Sequence, residues 1–401
     1  AAVKTSGMNA ETRGSLIYSD SYGGLKYRLG IERFANLTKL VRRDLYTDTA
    51  DIQTDEIQRI RPNKYIENQL TTKLEYSLSK DTAIQLSGLF AWIYVDADID
   101  INSRDFIEQT HNRDTITLDW HRDQWELSGD ITHQVNQANH LKVLFISNRA
   151  ASNDQTWKVS HELGGDMLSY ELPRDYVSSE NVLRGNWSYT LNNQHTFDSG
   201  AEIAINQFDE HLQFISHDDA PYHSTEINDI EEKRYELFGS YNYAVSPRLN
   251  LQSSLVYERS TMDVFTDFML VDDINEQAEK YTSRSFSYLK PRLNIRYDYS
   301  DLVQLRFNYE RTVSQLDLRD FVPEFNRDET RLEETNPDLK PEVRDELSFS
   351  IEKQLQENDG SITITPYYHD ITDLIVEVPL SEYSGDGNID SGKEYGVKFE
   401  T

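Results

Sequence analysis

The sequence predicts an all-β protein, an antiparallel β-barrel that crosses a membrane with its strands. One observation behind this prediction is that apolar and polar residues alternate along most of the 401 residues. Between Leu302 and Val313, Val303, Leu305, Phe307 and Tyr309 share one side, and Gln304, Arg306, Asn308 and Glu310 share the other. A period of two over this length indicates a strand with one apolar and one polar face.

The same alternation fixes the direction that we expect of individual side chains in such a wall. In a transmembrane barrel the apolar face contacts lipid and the polar face contacts the interior. We expect these residues to face lipid: Val303, Leu305, Phe307, Leu293, Ile295, Leu347, Phe349 and Tyr395. We expect these residues to face the interior: Arg296, Arg306, Glu310 and Glu346. Aromatic residues cluster toward the strand ends, as in the girdles at the two membrane interfaces.

A second observation is that short and long connections alternate along the chain. Short polar turns are predicted near Tyr22–Gly24, Ser79–Asp81, Asn136–Ala138, Asn192–Gln194, Val245–Pro247, Ser300–Asp301 and Gln356–Asn358. They recur about every 55 residues, roughly two long strands plus one long connection. Long outer loops are predicted within the polar stretches 97–118, 150–178, 207–230, 260–282, 315–342 and 373–389. A soluble β-sandwich would show turns about every 8–12 residues instead.

Composition is compatible with both a barrel and a soluble β protein. Only 37% of residues are hydrophobic and the mean hydropathy is −0.69, but a barrel strand exposes only every second residue to lipid. No apolar run reaches the roughly 18 residues of a membrane-spanning helix. The chain has no cysteine, which excludes disulfides and thiolate metal sites. A net charge of −30 argues against nucleic acid as a partner.

Strand counting predicts a single, incomplete barrel domain over residues 1–401. Seven short turns imply fourteen strands, and residues 393–399 begin a fifteenth. The edge of an open sheet cannot lie in lipid, because each unpaired backbone group costs several kcal/mol there. We therefore expect an open sheet that belongs to a longer barrel. Short turns are periplasmic in such barrels, so the strand near Ser15, which runs into one, descends. A barrel that the chain enters from the periplasmic side begins with an ascending strand, so we expect this strand to be the second and Thr401 to fall in the sixteenth.

The sharpest local pattern is a heptapeptide with two prolines, which exclude a helix or a central strand there. It consists of Asn336, Pro337, Asp338, Leu339, Lys340, Pro341 and Glu342. It resembles the NPDLKPE element that precedes a strand in TonB-dependent receptor barrels. Further segments that resemble the same family, in order, are Tyr288 to Asn294, Leu305 to Val313, Tyr367 to Ile375 and Asn388 to Gly396. More weakly, Trp125 to Phe145 resembles the outer membrane β-barrel branch of this group.

The resemblance implies a receptor of the Gram-negative outer membrane that takes up a scarce ligand, such as an iron–siderophore complex. It implies a barrel of about 22 strands, contact with outer-membrane lipid and lipopolysaccharide, and energy supplied by the TonB complex. The plug domain and the N-terminal box that TonB grips are absent from this sequence. No cofactor is implied. A passive porin or export channel is the alternative, and a barrel enzyme is a weaker one.

Catalytic and metal-binding patterns are sparse, so the chain is expected not to be an enzyme. Ser77–Lys80 and Ser287–Lys290 fit S-x-x-K, but the accompanying motifs are missing. The ten histidines form no zinc motif. Asp96, Asp98 and Asp100 share one strand face beyond two aromatic residues. Such carboxylates could hold Ca²⁺, although a solvated extension of the strand above the membrane is the favoured interpretation, and no metal site is predicted.

Overall fold

The computed structural model describes most of the chain, with short gaps in the connections. The described residues are 2–47, 52–162, 165–217, 223–271, 276–321, 324–326, 331–333, 336, 338–355, 360–379 and 384–401. Pro337 of the heptapeptide and the predicted turn at Gln356–Asn358 lie outside them.

Alternating sequence segments form long β-strands, since each has one face for lipid and one for the interior. The strands are β1 (Ala2–Tyr22), β2 (Leu25–Thr47), β3 (Gln53–Ser77), β4 (Thr82–Asp105), β5 (Thr110–Asn136), β6 (Asn139–Glu162), β7 (Gly165–Asn192), β8 (His195–Ser216), β9 (His223–Ser246), β10 (Leu249–Val271), β11 (Glu276–Ser300), β12 (Val303–Val313), β13 (Glu324–Asn326), β14 (Arg331–Glu333), β15 (Val343–Gln354), β16 (Ser361–Pro379) and β17 (Ser384–Glu400). A single 3-10 turn, Leu318–Phe321, is the only helical element in the described residues.

Fifteen of these strands form one antiparallel sheet in the order of the sequence, with β12 next to β15. The small hairpin of β13 and β14 stands apart from it. This confirms the predicted strand count and topology. No pairing joins β1 to β17 in the described part of the chain, so the sheet is open as expected. Within the same residues, no helix is long and apolar enough to cross a bilayer.

The connections differ from the prediction on one side of the sheet. The polar stretches 97–118, 150–178, 207–230, 260–282 and 373–389 were predicted to contain long loops, and this prediction is wrong. Strands run through nearly all of each stretch, and only residues 106–109 separate β4 from β5. The reason is physical: above the membrane both faces of a strand meet water, so polarity increases while the backbone ladder continues. Among the described connections, only the one between β12 and β15 is long.

Strand register divides the side chains into an apolar face and a polar face, and the division agrees with the predicted sets. On the apolar face, Phe307 lies between Ile295 and Phe349. On the polar face, Arg306 lies beside Arg296, and Glu310 lies beside Glu346. Tyr395, at the β17 edge, is 76% exposed on the apolar face. Since an exposed apolar surface must meet lipid, the polar face is the interior of the wall.

The segment between β12 and β15, residues 314–342, is here called the connector, and it folds back onto the polar face. Phe321 and Leu339 of the connector form a buried cluster with four wall residues. These four residues, here called the recess, are Phe208 of β8, Ile230 of β9, and Met262 and Val264 of β10. Phe208 pairs with Ile230, and Ile230 with Val264, across neighbouring strands. The connector therefore lies inside the wall, far along the sequence from the strands that it covers.

A second buried apolar cluster, here called the isoleucine patch, lies on the polar face of β3 to β5. It contains Ile99, Ile101 and Ile116, with Ile57 packed against them. Arg59 pairs with Ile101 across β3 and β4, and its guanidinium bonds to the buried carboxylate of Asp44. The patch is therefore bordered by an ion pair between neighbouring strands, and not by a segment from a distant part of the chain.

Candidate functional site

The heptapeptide contributes the residue that fills the recess. Leu339 is fully buried, with 0% of its surface exposed, among the four recess residues. Arg284 of β11 donates from Nη1 to the Leu339 carbonyl oxygen at 3.3 Å and forms an ion pair with Asp338. A backbone carbonyl that would otherwise lose its water thus receives a charged donor. The connector is held at this point by apolar burial and by an arginine from the wall.

Two asparagines fix the backbone of the heptapeptide. Asn336 accepts from the Asp338 backbone N–H at 2.9 Å and donates to the Asp386 carbonyl at 3.1 Å. Asn388 of β17 accepts from the Lys340 N–H at 2.8 Å and donates to the Lys340 carbonyl at 2.9 Å. Because asparagine offers both a donor and an acceptor, the irregular backbone is tied to β17 without a strand ladder.

Glu342 closes the base of the connector. Its backbone carbonyl accepts from the Ser314 N–H at 2.9 Å, and its own N–H donates to Ser314 Oγ at 2.8 Å. Its carboxylate accepts from Arg344 at 2.9 Å and from the Ile375 N–H at 3.3 Å. Pro341 is buried beside it, while Lys340 lies 4.0 Å from Asp373 at an exposed position. Every described heptapeptide residue thus helps to fix the connector, Lys340 through its backbone bonds to Asn388.

The first part of the connector contacts the wall at a line of paired charges. The side-chain oxygen of Gln315, with its amide turned to accept, lies 3.1 Å from Arg234 Nη2. Arg234 lies 3.6 Å from Glu202, and Glu202 lies 3.4 Å from Arg184. Leu316 and Leu318 pack against the recess cluster. Polar and apolar contacts therefore hold this end of the connector as well.

Below the connector, glutamates and asparagines alternate across five strands of the polar face. Strand pairing places Glu126, Asn148, Glu180, Asn206 and Glu232 side by side; we call this row the Glu–Asn ladder. Asn148 donates to Glu180 at 3.0 Å, and Asn206 donates to Glu232 at 2.9 Å. Ser260 donates to the second oxygen of Glu232 at 2.7 Å. The ladder therefore presents hydrogen-bond donors and acceptors in alternation.

A cavity of about 320 Å³ lies between the Glu–Asn ladder and the connector. Its lining includes Arg122, Asn148, Tyr176, Ser178, Glu180, Asn206, Phe208, Glu232 and residues 315–319. The Nε atom of Arg122 is buried and has no hydrogen-bond partner. Tyr176 stacks on Phe208 with ring centroids 5.7 Å apart, and Arg174 covers the Tyr176 ring at 5.2 Å. This cavity is the candidate binding site, because one wall group still lacks a partner there.

A buried polar group borders the recess on β8 to β10. Asn228 is 0% exposed and donates to Glu210 and to Glu226, each at 3.1 Å. Thr266 donates to Asn228 at 2.8 Å, and Arg174 forms an ion pair with Glu210. Burial, together with the nearby Glu210 carboxylate, raises the pKa of Glu226 to about 7. Glu226 lies in the part of β9 beyond the aromatic residues of the apolar face.

Three other sequence candidates do not form a site. Asp96, Asp98 and Asp100 lie on the outer continuation of the apolar face of β4, where each contacts a different residue: Lys64 at 2.8 Å, Thr117 at 2.8 Å and Arg113 at 3.8 Å. Across the described residues, no group of three metal-ligating side chains occurs. The strand-extension interpretation accounts for their position.

The S-x-x-K matches also fail on geometry. Ser287 and Lys290 lie on opposite faces of β11, because they are an odd number of residues apart. Lys290 is held on the polar face by Glu236 at 2.9 Å and by Glu258. The other match, Ser77 to Lys80, crosses the short turn between β3 and β4. Neither pair forms a nucleophile beside its base.

Sequence reasoning found the heptapeptide but missed the Glu–Asn ladder and Arg122. Each ladder residue comes from a different strand, so nothing local in the sequence brings the five together. A strand register taken from the short turns would have aligned them, since each turn fixes which residues lie opposite each other. No local pattern in the sequence places the connector above the ladder.

Comparison with known proteins agrees with this architecture. A family model described as TonB dependent receptor-like, beta-barrel matches residues 17–401. No curated protein matches the chain by sequence. The copper transporter OprC superposes with a TM-score of 0.58 at 13% identity, over 98% of this chain. The RagAB peptide transporter superposes with a TM-score of 0.58 at 12% identity, over 97% of this chain. The ferric-catecholate import receptor Fiu from K12 E. coli superposes with a TM-score of 0.52 at 9% identity, over 97% of this chain.

These structural neighbours are larger than the chain. It covers 60% of the OprC chain, 48% of the RagAB chain and 61% of the Fiu chain. At such low identity the likeness is one of fold alone, and the copper, peptide and ferric-catecholate ligands are those of the neighbouring proteins.

Proposed function

Because this chain belongs to the TonB dependent receptor-like β-barrel family, we propose that it forms a large part of the wall of a receptor for TonB-energised uptake of a scarce ligand. The family locates the chain in the outer membrane of Gram-negative bacteria, and its members are transporters. The observation that carries the proposal is the family match over residues 17–401. A sheet with an exposed apolar face and a polar interior supports it.

The ligand that we propose is a molecule too large or too scarce for passive channels, such as an iron–siderophore complex. The connector supports this, because it occupies interior space and leaves a cavity of about 320 Å³ against the wall. Outer-membrane lipid and lipopolysaccharide surround the apolar face in this proposal. In this proposal the TonB complex supplies the energy for uptake.

The test is an uptake measurement in the source bacterium. Isotope-labelled ferric chelates are supplied to cells with and without the gene, each with and without a protonophore that collapses the inner-membrane potential. A TonB-energised receptor gives gene-dependent uptake that the protonophore abolishes. Gene-dependent uptake that survives the protonophore would indicate a passive channel instead, and gene-dependent chemical change of an external substrate would indicate a barrel enzyme.

A further inference from the structure

The cavity between the Glu–Asn ladder and the connector has a lining whose chemistry restricts what can bind there. Five charged side chains line it: Arg122, Glu180, Glu232, Asp317 and Arg319. Arg319 and Asp317 neutralise each other at 2.7 Å. The remaining three comprise one cation and two carboxylates, which leaves a net negative lining in a chain of net charge −30. Such a field disfavours an anionic ligand.

The hydrogen-bonding groups of the lining point to a different kind of ligand. Asn148 and Asn206 each give one N–H to a ladder carboxylate, and an amide has a second N–H and an oxygen to offer. Glu180 accepts one described hydrogen bond and has further lone pairs. Hydroxyl groups and secondary amides both donate and accept, so they match alternating carboxylates and amides in a way that an acceptor-only anion does not.

Arg122 is the described lining residue with a buried polar atom that lacks a hydrogen-bond partner. Its Nε is buried without a hydrogen-bond partner, and it forms no ion pair with any residue in the described ranges. A buried donor without a partner destabilises the folded protein. Once the Arg122 side chain turns toward the cavity that it lines, a neutral carbonyl or hydroxyl oxygen satisfies this donor and does not bring a negative charge next to Glu180 and Glu232.

We propose that this cavity binds an uncharged ligand surface rich in hydroxyl and amide groups, with Arg122 donating to a neutral oxygen and Asn148 and Asn206 bonding to hydroxyls. This deepens the proposed function and rests on it. The shared chemistry occurs in neutral hydroxamate metal chelates and in neutral oligosaccharides, and the test separates these two sources. The proposal excludes polyanionic chelates as ligands of this cavity.

The test uses the protein purified from outer membranes in detergent, and three probes titrated by intrinsic tryptophan fluorescence or calorimetry. The probes are a neutral ferric trihydroxamate, a neutral trisaccharide and the trianionic ferric tris-catecholate. We expect at least one neutral probe to bind, and to bind at least tenfold more tightly than the tris-catecholate. Binding of the trihydroxamate alone identifies the ligand class as hydroxamate chelates. Binding of the trisaccharide alone identifies it as oligosaccharides.

The variants Asn148→Leu and Asn206→Leu should each weaken binding of the neutral probes about tenfold, because each removes an amide that bonds to the ligand and takes away that amide's hydrogen bond to a ladder carboxylate. Glu180→Gln should reduce the ratio of neutral-probe affinity to tris-catecholate affinity, because it removes a carboxylate that repels the trianionic chelate. Asn308→Leu is the matched control, since Asn308 is an amide of the same polar face on β12, away from the cavity. Heat modifiability on gels shows that each variant is folded.

Two results would overturn the inference: tighter binding of the tris-catecholate than of both neutral probes, or no binding of either neutral probe. Ladder variants that are folded and bind neutral probes as the unmodified protein does would also overturn it. Protonophore-sensitive uptake would be unaffected in these cases, so failure of the inference is distinguishable from failure of the proposed function.

Discussion

The recess and the isoleucine patch are both apolar clusters on the polar face, but they are buried in different ways. Leu339 and Phe321 of the connector cover the recess, and they come from far along the chain. The isoleucine patch is bordered by its own strands, with the Arg59–Asp44 ion pair beside it. Ile116 is as completely buried, at 0% exposure, as Leu339 is in the recess.

The difference shows that exceptions to strand alternation have two meanings in a barrel wall. An apolar residue on the interior face can be part of a local cluster, in which arginine stems and neighbouring side chains exclude water. It can also be the contact point for a segment that returns from elsewhere. Mutations in the two clusters should therefore separate wall stability from attachment of the connector.

The largest expected effect comes from replacing the buried side chain that anchors the connector. Leu339→Asp places an unpaired charge among Phe208, Ile230, Met262 and Val264, a change that costs more than about 4 kcal/mol. We expect the connector to detach while the wall stays folded, so that the four amides of 338–342, which Pro341 interrupts, lose protection in hydrogen exchange.

Leu339→Met is the control for this change, since it nearly conserves volume and should cost less than about 1.5 kcal/mol. If Leu339→Asp leaves hydrogen exchange of 338–342 unchanged, the recess does not hold the connector.

The next effect tests the isoleucine patch. Ile116→Ala removes a fully buried side chain and should destabilise the wall by about 2–4 kcal/mol, measured as a lower temperature at which the heat-modifiable band disappears. The strands cannot collapse freely around the cavity that remains. Because the patch and the recess are separate clusters in the described residues, hydrogen exchange of 338–342 should be unaltered. Increased exchange there would mean that the two clusters are coupled.

A pH effect of intermediate size is expected at the edge of the recess. Glu226 has a folded-state pKa of about 7, above its ordinary value, so the folded state holds this proton more tightly than the unfolded chain does. Its contribution to stability is therefore full at low pH and is lost as pH rises from about 4.5 to about 7. The neighbouring Glu210, Asn228 and Arg174 face it from β8, β9 and β7.

The variant Glu226→Gln removes this titration. It should flatten the decline in thermal stability over that pH interval and raise stability at pH 8 by about 1–3 kcal/mol. Asp96→Asn, at an exposed site on β4, provides the matched carboxylate control. An unchanged pH profile in Glu226→Gln would show that Glu226 is ionised in the folded protein without cost.

The smallest expected effect concerns the arginine that holds the connector from the wall. Arg284→Leu removes the donor to the Leu339 carbonyl and the ion pair with Asp338. Because Asp338 is largely exposed, its ion pair contributes little, and the expected loss is about 1–2 kcal/mol, chiefly from the carbonyl. Exchange of 338–342 should rise slightly, well below its rise in Leu339→Asp.

The wall was predictable from the sequence because each part of it is local. Alternation defined which residues of β11, β12 and β15 share a face, and short turns defined which strands are neighbours. Strand length was not predictable, since Asp96, Asp98 and Asp100 are polar on a strand that continues. The connector was not predictable either: Leu339 resembles any leucine in a loop until its contact with Phe208 and Ile230 is known.

The site was predictable only in its heptapeptide, through the unusual pair of prolines. Arg122 and the ladder residues Asn148 and Asn206 are ordinary polar residues of three separate strands. Their meaning depends on the register of five strands and on a segment that returns to cover them, and both are long-range features of the fold.

The strands have a consequence for how molecules arrive at the protein. β7 contains 28 residues, and at about 3.3 Å per residue it is about 90 Å long, whereas the apolar band of such walls is about 25 Å tall. Much of the wall is therefore a stiff, hydrogen-bonded shaft standing above the bilayer. A solute inside it diffuses along one dimension and meets the wall repeatedly. The shaft also projects beyond the lipid headgroups, so its outer surface there is accessible from the surrounding water.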